Sequence, residues 1–176
     1  MKSLLASTFV LVSSLALAAC GSSSSGGDST TTGGQGGGGG AGGSTASGAL
    51  CDSDPRGEPY AVGLSQEGAS KTLEVSFVDA DPAPPTRGNN TWKVKVTDAS
   101  GAALTGATIA VSTWMPDHNH GASVIPDVTE TSEAGVYEIT PLDLFMPGIW
   151  QITLKVTPAG GTAATDSVVF SFCVDG

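Results

Sequence analysis

Alternation of apolar and polar residues is the feature that most constrains how this chain can fold. It is clearest in residues 73–77, 92–96 and 150–156, where every second side chain is apolar. Alternation over about four to eight residues predicts a half-buried β-strand, because successive side chains point to opposite faces of a sheet. Further candidate strands lie at residues 60–64, 109–113, 123–128, 136–140 and 166–174.

Turn-forming residues separate these segments, and no segment has the apolar spacing of an amphipathic helix. Gly and Pro mark the turns at residues 98–101, 133–135, 147–148 and 158–161. About seven or eight short strands in one domain predict an all-β fold, an antiparallel β-sandwich of immunoglobulin-like type. The Cys-Trp-Cys core of antibody domains is absent, so this prediction concerns architecture alone.

The N-terminus has the pattern of a secretory signal peptide. Lys2 precedes an apolar run over residues 4–19, which ends in small residues. The run is shorter than the roughly 20 residues of a spanning helix. Residues 17–20, Leu-Ala-Ala-Cys, resemble the lipobox of bacterial lipoproteins, which implies cleavage before Cys20 and a lipid on its sulfur. The alternative is an ordinary signal peptide followed by an unmodified cysteine.

A low-complexity segment follows Cys20. Residues 21–50 are almost entirely Gly, Ser, Thr and Ala, a composition that cannot bury enough apolar surface to fold. The predicted organisation is a signal peptide over 1–19, lipidated Cys20 with a disordered tether over 20–50, and one folded domain over 51–176. By lipoprotein sorting rules, the absence of Asp beside Cys20 implies an outer-membrane lipoprotein that faces the periplasm or the cell surface.

The charge balance argues against a nucleic-acid partner. Of the 17 acidic and 7 basic residues of the chain, all but Asp28 and Lys2 lie in residues 51–176, which leaves 16 against 6 and a net charge of −10. Nucleic-acid binding requires a basic surface, and this domain has the opposite sign. The predicted partners are therefore the membrane, through the lipid, and a protein of the envelope.

Two cysteines bracket the predicted domain. Cys51 is its first residue, and Cys173 lies near its end. An exported protein folds in an oxidising compartment, so the pair predicts a disulfide that closes the domain. Two free thiols, one of them a metal ligand, are the alternative.

Residues 114–121, Trp-Met-Pro-Asp-His-Asn-His-Gly, are the most unusual stretch. They contain both histidines of the chain, His118 and His120, together with Met115. Met146 stands in a second Met-Pro pair. Imidazole and thioether groups together suit copper, because thioether is soft and imidazole accepts either oxidation state. Asp117 is a candidate hard ligand or a support for a histidine.

The order and spacing of several motifs resemble the YtkA-like (FixH-related) family of exported bacterial domains. The matching residues are 92–98, 101, 104–107, 115–116, 118–121, 135–137 and 145–150. The resemblance implies an immunoglobulin-like sandwich, an envelope location, no established enzymatic activity and the link to copper handling or oxidase maturation that has been suggested for relatives. His118 and Ile149 stand where relatives often carry methionine, which favours histidine ligation and Cu(II).

Two functions remain open from the sequence. The first is a copper-binding module with His118 and His120 as primary ligands, Met115 and Met146 as soft partners, and Asp117 as support. The second is a metal-free interaction module in which the Met-Pro turns are structural and the methionines fill the core. Catalytic motifs such as Gly-x-Ser-x-Gly and His-Glu-x-x-His are absent from the sequence, which predicts no enzyme. A calcium site at a loop containing Asp79 and Asp81 is a minor alternative.

Overall fold

The structure of the protein is a computed structural model that describes residues 51, 54–162 and 164–176. The predicted leader, Cys20 and the tether lie outside the described residues. All the regular elements of the described part are antiparallel strands: β1 Ser65–Glu67, β2 Leu73–Asp81, β3 Gly88–Asp98, β4 Thr108–Trp114, β5 Asp127–Glu130, β6 Val136–Leu144, β7 Gly148–Thr157 and β8 Asp166–Val174. No helix in these residues is long and apolar enough to cross a membrane.

The strands form two sheets. One has the order β1-β2-β3-β6-β5 and the other the order β4-β7-β8. Without the short β1, this is the four-plus-three arrangement of the immunoglobulin-like sandwich, in which the third and the last two strands of the fold form the smaller sheet. The predicted fold class is therefore confirmed.

The core lies between the sheets and consists of the apolar positions of the alternating segments. Trp92, Val94 and Val96 of β3 face the core, while Lys93 and Lys95 lie on the opposite, partly exposed face of the sheet. In the centre, the ring of Phe77 lies 4.8 Å from Trp92 and 4.9 Å from Phe170, centroid to centroid, both edge-on. Edge-to-face pairs of this kind each add about 0.5–1.5 kcal/mol beyond the burial of apolar area.

Two of the predicted strands differ in the structure. Residues 60–64 form a turn rather than a strand, because Gly63 takes a positive φ of 85° and β1 begins only at Ser65. The predicted strand at 123–128 is found as β5, which begins at Asp127. Pro126 stands directly before it, and proline has no N–H to donate to a ladder.

The predicted loop around Asp79 and Asp81 is also wrong. Both residues belong to β2, where they pair with Lys93 and Thr91 of β3, and the irregular segment starts only at Pro82. The ladder is irregular between Phe77 and Asp79, where β2 carries a bulge. Among the described residues, no third His, Cys, Asp or Glu side chain joins Asp79 and Asp81 in a group that could hold a metal ion.

Candidate metal centre

Residues 115–121, named here the Met/His loop, form a tight turn directly after β4. The Met115 N–H donates to the His120 carbonyl oxygen at 2.7 Å, and the Asn119 N–H donates to the Met115 carbonyl oxygen at 2.8 Å. Asn119 takes a positive φ of 55°, a conformation that Asn adopts more readily than most residues. The turn therefore brings His118 and His120 back beside the end of β4.

The exit of the loop lies against the edge of β4. The Ala122 N–H donates to the Thr113 Oγ1 at 3.0 Å, and a Cβ atom at Gly121 would overlap the Thr113 carbonyl oxygen. Glycine is thus required at position 121 for the close approach of the two backbones. These contacts fix the position of the histidine pair relative to the sandwich.

The second Met-Pro segment, residues 145–148, connects β6 to β7 and meets the Met/His loop. The Trp150 Nε1–H donates to the Met146 carbonyl oxygen at 2.8 Å, which holds the segment on β7. Gly148 has a φ of 125°, and a Cβ atom there would lie 3.0 Å from the Met115 Cε. The side chain of Met115 therefore extends to the second segment, and glycine leaves the room for it.

The two imidazole rings lie close together. The ring centroids of His118 and His120 are 5.7 Å apart, and the ring planes are inclined at 51°. If two imidazoles bind one ion at a metal–nitrogen distance of about 2.0 Å, their centroids can be at most about 6.3 Å apart. The observed separation of 5.7 Å is within this limit, so the distance between the rings permits a shared ion.

Aromatic side chains support one member of the pair. The ring of His120 stacks on Phe145 with centroids 5.6 Å apart and planes inclined at 20°, and it lies 6.5 Å from the ring of Trp150. His120 is half-buried, whereas His118 is exposed. The His120 imidazole is thus packed against Phe145 of the second Met-Pro segment, and the His118 imidazole is exposed to solvent.

The two thioethers differ in accessibility. Met115 is fully buried in the core, and Met146 is only partly buried against it. Burial of Met115 agrees with the structural interpretation of the Met-Pro turn, in which methionine fills a gap between the sheets. Of the two predicted sulfur ligands, Met146 is therefore the one with access to the surface.

Asp117 is paired with a residue that the sequence analysis did not single out. Arg56 donates from Nη1 to Asp117 Oδ1 at 2.8 Å and from Nη2 to Asp117 Oδ2 at 2.7 Å. These hydrogen bonds from Arg56 lower the pKa of Asp117. The guanidinium also binds Asp54, whose pKa is lowered to about 2 by the same side chain. Both oxygens of Asp117 thus face an arginine rather than a histidine.

The predicted disulfide is present between Cys51 and Cys173, with their Cα atoms 5.3 Å apart. It attaches the segment that carries Arg56 to β8. Cys20 lies outside the described residues.

The described residues contain no group of three or more His, Cys, Asp and Glu side chains that converge on one point. An ion at the histidine pair would therefore need its further ligands from outside this set of side chains, for example from the Met146 thioether or from water. No sequence signal pointed to Arg56, because Arg56 is 61 residues from Asp117 and only the folded chain brings them together.

Comparisons with known proteins place the chain in a family. No curated protein matches it. Among solved structures it is similar to FetP of uropathogenic E. coli strain F11, at 13% identity over 70% of this chain and 97% of FetP, with a TM-score of 0.41. A copper-bound variant of FetP also matches, at 13% identity over 69% of this chain and 90% of that one, with a TM-score of 0.35. The family model described as YtkA-like matches residues 67–155. The matched residues include the Met/His loop and the second Met-Pro segment. The chain therefore belongs to the YtkA-like family.

Proposed function

We propose that this protein is a copper-binding lipoprotein of the bacterial envelope. In this proposal a lipid on Cys20 anchors the chain, residues 21–50 tether the domain, and the Met/His loop binds one copper ion. The ion is cargo that the domain holds or delivers, and the domain catalyses no reaction.

The observation that carries the proposal is the separation of 5.7 Å between the ring centroids of His118 and His120. These are the only histidines of the chain. They lie on a turn whose backbone is fixed at both ends, and one of them is stacked on Phe145. Such support reduces the conformational entropy that metal binding costs.

The ligand roles follow from exposure. His118 and His120 supply the nitrogen ligands, since their rings lie at or near the surface. Met146 supplies the soft ligand, because it is partly exposed on the segment that His120 contacts. Met115 packs beneath the loop and would bind only if its side chain left the core. Copper suits this mixture of imidazole and thioether better than magnesium or calcium, which prefer oxygen ligands.

The proposal predicts stoichiometric copper binding that depends on the histidine pair. The experiment uses the detergent-solubilised full chain with Cys20→Ser, which removes both the lipid and a thiol that would itself bind copper. Titration with Cu(II), and with Cu(I) under reducing conditions mild enough to keep the disulfide, should give one ion per chain with a sub-micromolar Kd. His118→Ala combined with His120→Phe should weaken binding at least about 100-fold.

The choice of variants separates ligation from packing. His120→Phe removes the ring nitrogens but keeps an aromatic ring against Phe145, so the loop should stay folded. Ser123→Ala, an exposed position just after the loop, is the matched control and should leave the Kd unchanged. Weak binding that does not respond to the double variant would refute the copper site.

The anchoring part of the proposal has its own test. Growth of expressing bacteria with a radiolabelled fatty acid should label the wild-type protein and place it in the membrane fraction. Cys20→Ala should abolish the label, because the proposal attaches the acyl chains to the Cys20 sulfur. A membrane-bound, unlabelled wild-type protein would contradict lipidation at Cys20.

A metal-free interaction module is the second candidate, and specific side chains favour it. Three large apolar residues near the site are exposed. Trp114, directly before the Met/His loop, is exposed by 42%, Phe145 of the second Met-Pro segment by 38%, and Ile125 by 81%. Exposed apolar side chains next to functional loops are typical of protein contacts. A protein partner that receives copper from the loop would use the same surface, so the titration above decides between the two.

A further inference from the structure

The ion pair between Arg56 and Asp117 has a geometry that bears directly on the copper site. Asp117 directly precedes His118 and is the only carboxylate of the Met/His loop. Both of its oxygens accept hydrogen bonds from the two terminal nitrogens of Arg56, at 2.8 and 2.7 Å. This fork is the strongest arrangement that a guanidinium makes with a carboxylate.

The arginine also binds a second carboxylate, and the segment that carries it is attached to β8. Its Nε and Nη2 donate to Asp54, at 3.0 and 2.6 Å to the two carboxylate oxygens. The Glu58 N–H donates to the Ser171 carbonyl oxygen at 2.7 Å, and the Ser171 N–H donates to the Glu58 Oε2 at 2.9 Å. The disulfide attaches Cys51 to Cys173. Arg56 is therefore presented to the loop by a segment fastened to β8 on both sides.

The chemistry of the donors indicates what this pairing does. A carboxylate is a hard ligand that favours Cu(II) and other divalent ions, whereas thioether favours Cu(I). A carboxylate engaged by a fixed guanidinium is less available to an ion, and the positive charge of the guanidinium adds repulsion. The donors left to the ion are imidazole and thioether.

We propose that Arg56 is a specificity-determining residue of the copper site: it withholds the Asp117 carboxylate and so shifts the preference of the Met/His loop from Cu(II) towards Cu(I). The inference rests on the proposed copper function and deepens it. The two imidazoles accept either oxidation state, so the availability of the carboxylate decides how well the loop holds Cu(II).

The test compares the Cu(II) and Cu(I) affinities of the full chain with Cys20→Ser in five forms. These are the wild type at positions 56 and 117, Arg56→Gln, Arg56→Lys, Asp117→Asn, and Arg56→Gln with Asp117→Asn. Arg56→Gln should tighten Cu(II) binding about three- to tenfold and change the Cu(I) affinity less than about twofold. Addition of Asp117→Asn should remove the gain. Arg56→Lys should give an intermediate Cu(II) affinity, because lysine keeps the charge but not the fork.

A measurement without metal checks the pairing itself. In nitrogen NMR spectra of the copper-free protein, the Arg56 guanidinium should rotate slowly about its Nε–Cζ bond, and Asp117→Asn should speed the rotation. Rotation that is already fast in the wild type would overturn the inference by removing its structural basis.

The outcomes separate this inference from the function on which it rests. If the chain with Arg56 intact binds no copper, the proposed function is wrong, and the inference about Arg56 is wrong with it. If it binds copper but Arg56→Gln leaves the ratio of the two affinities unchanged, only the role of Arg56 is overturned. That role is also overturned if Asp117→Asn weakens Cu(II) binding equally with and without Arg56, since the carboxylate would then be a ligand despite the arginine.

Discussion

At the scale of single residues, His120 combines a packing role with a proposed ligand role. Its ring stacks on Phe145, its carbonyl oxygen accepts from the Met115 N–H, and the ring of His118 lies 5.7 Å away. A substitution that removes the ring therefore changes the loop as well as the ligand set. For this reason His120→Phe is a cleaner probe of copper binding than His120→Ala.

The candidate site could be predicted from the sequence only in part. The Met-Pro-Asp-His-Asn-His pattern singled out the residues of the loop, because those residue types are rare in this chain and together suit copper. The pattern could not distinguish buried Met115 from partly exposed Met146. It also could not reveal Arg56, whose contact with Asp117 depends on how the segment after Cys51 runs along the folded domain.

At the scale of secondary structure, the sequence predicts strands well where apolar and polar residues alternate over a long segment. It predicts them poorly where the backbone conformation of a single residue determines whether a strand forms. The predicted strand 166–174 agrees with β8 at both ends, and the predictions within β2, β3, β4, β6 and β7 fell inside longer strands. Residues 60–64 failed because a turn at Gly63 overrides their apolar composition. The pairing order of the strands could not be obtained from periodicity, which specifies faces but not neighbours.

One buried carboxylate joins separate elements. Asp166, the first residue of β8, accepts hydrogen bonds from the Ser70 and Thr72 N–H groups at 2.7 and 2.9 Å, in the turn before β2. Burial acts to raise the pKa of Asp166, but the N–H groups of Ser70, Thr72 and Ser167 outweigh it and hold the pKa at about 2. The ionised carboxylate therefore stabilises the contact between this turn and β8.

This contact predicts a loss of stability in acid. Because the folded pKa of about 2 lies below the value of about 3.9 in an unfolded chain, the stabilisation is present above about pH 4 and is lost as the pH falls towards 2. Asp166→Asn should lower the free energy of unfolding at pH 7 by on the order of 2 kcal/mol and flatten its dependence on pH between about 2 and 4. Urea unfolding at several pH values measures both effects.

Asp127→Asn is the control for this prediction, since its exposed carboxylate lies outside the contact between the turn and β8. An Asp166→Asn protein that kept the wild-type slope over the same acidic range would show that another group carries the acid sensitivity.

At the scale of the whole molecule, the sandwich is a scaffold that brings distant segments together at one place. β4 ends at the Met/His loop, β6 and β7 are joined by the second Met-Pro segment, and the Arg87 Nε–H from just before β3 donates to the Phe145 carbonyl oxygen at 3.0 Å. Arg56 reaches the loop from the segment closed by the disulfide. In the proposed function, the tether over residues 21–50 would let this surface reach a partner while the lipid keeps the protein in the envelope.

X-ray absorption spectroscopy of the copper-loaded protein tests the central claim most directly, because it identifies the atoms bound to the metal. Our account predicts imidazole scattering from two histidines together with a sulfur ligand in the Cu(I) form. The imidazole contribution should vanish in the protein with His118→Ala and His120→Phe, and the sulfur contribution should vanish with Met146→Leu. Oxygen and nitrogen ligands alone, with no imidazole scattering in the wild-type protein, would contradict a copper site at the Met/His loop.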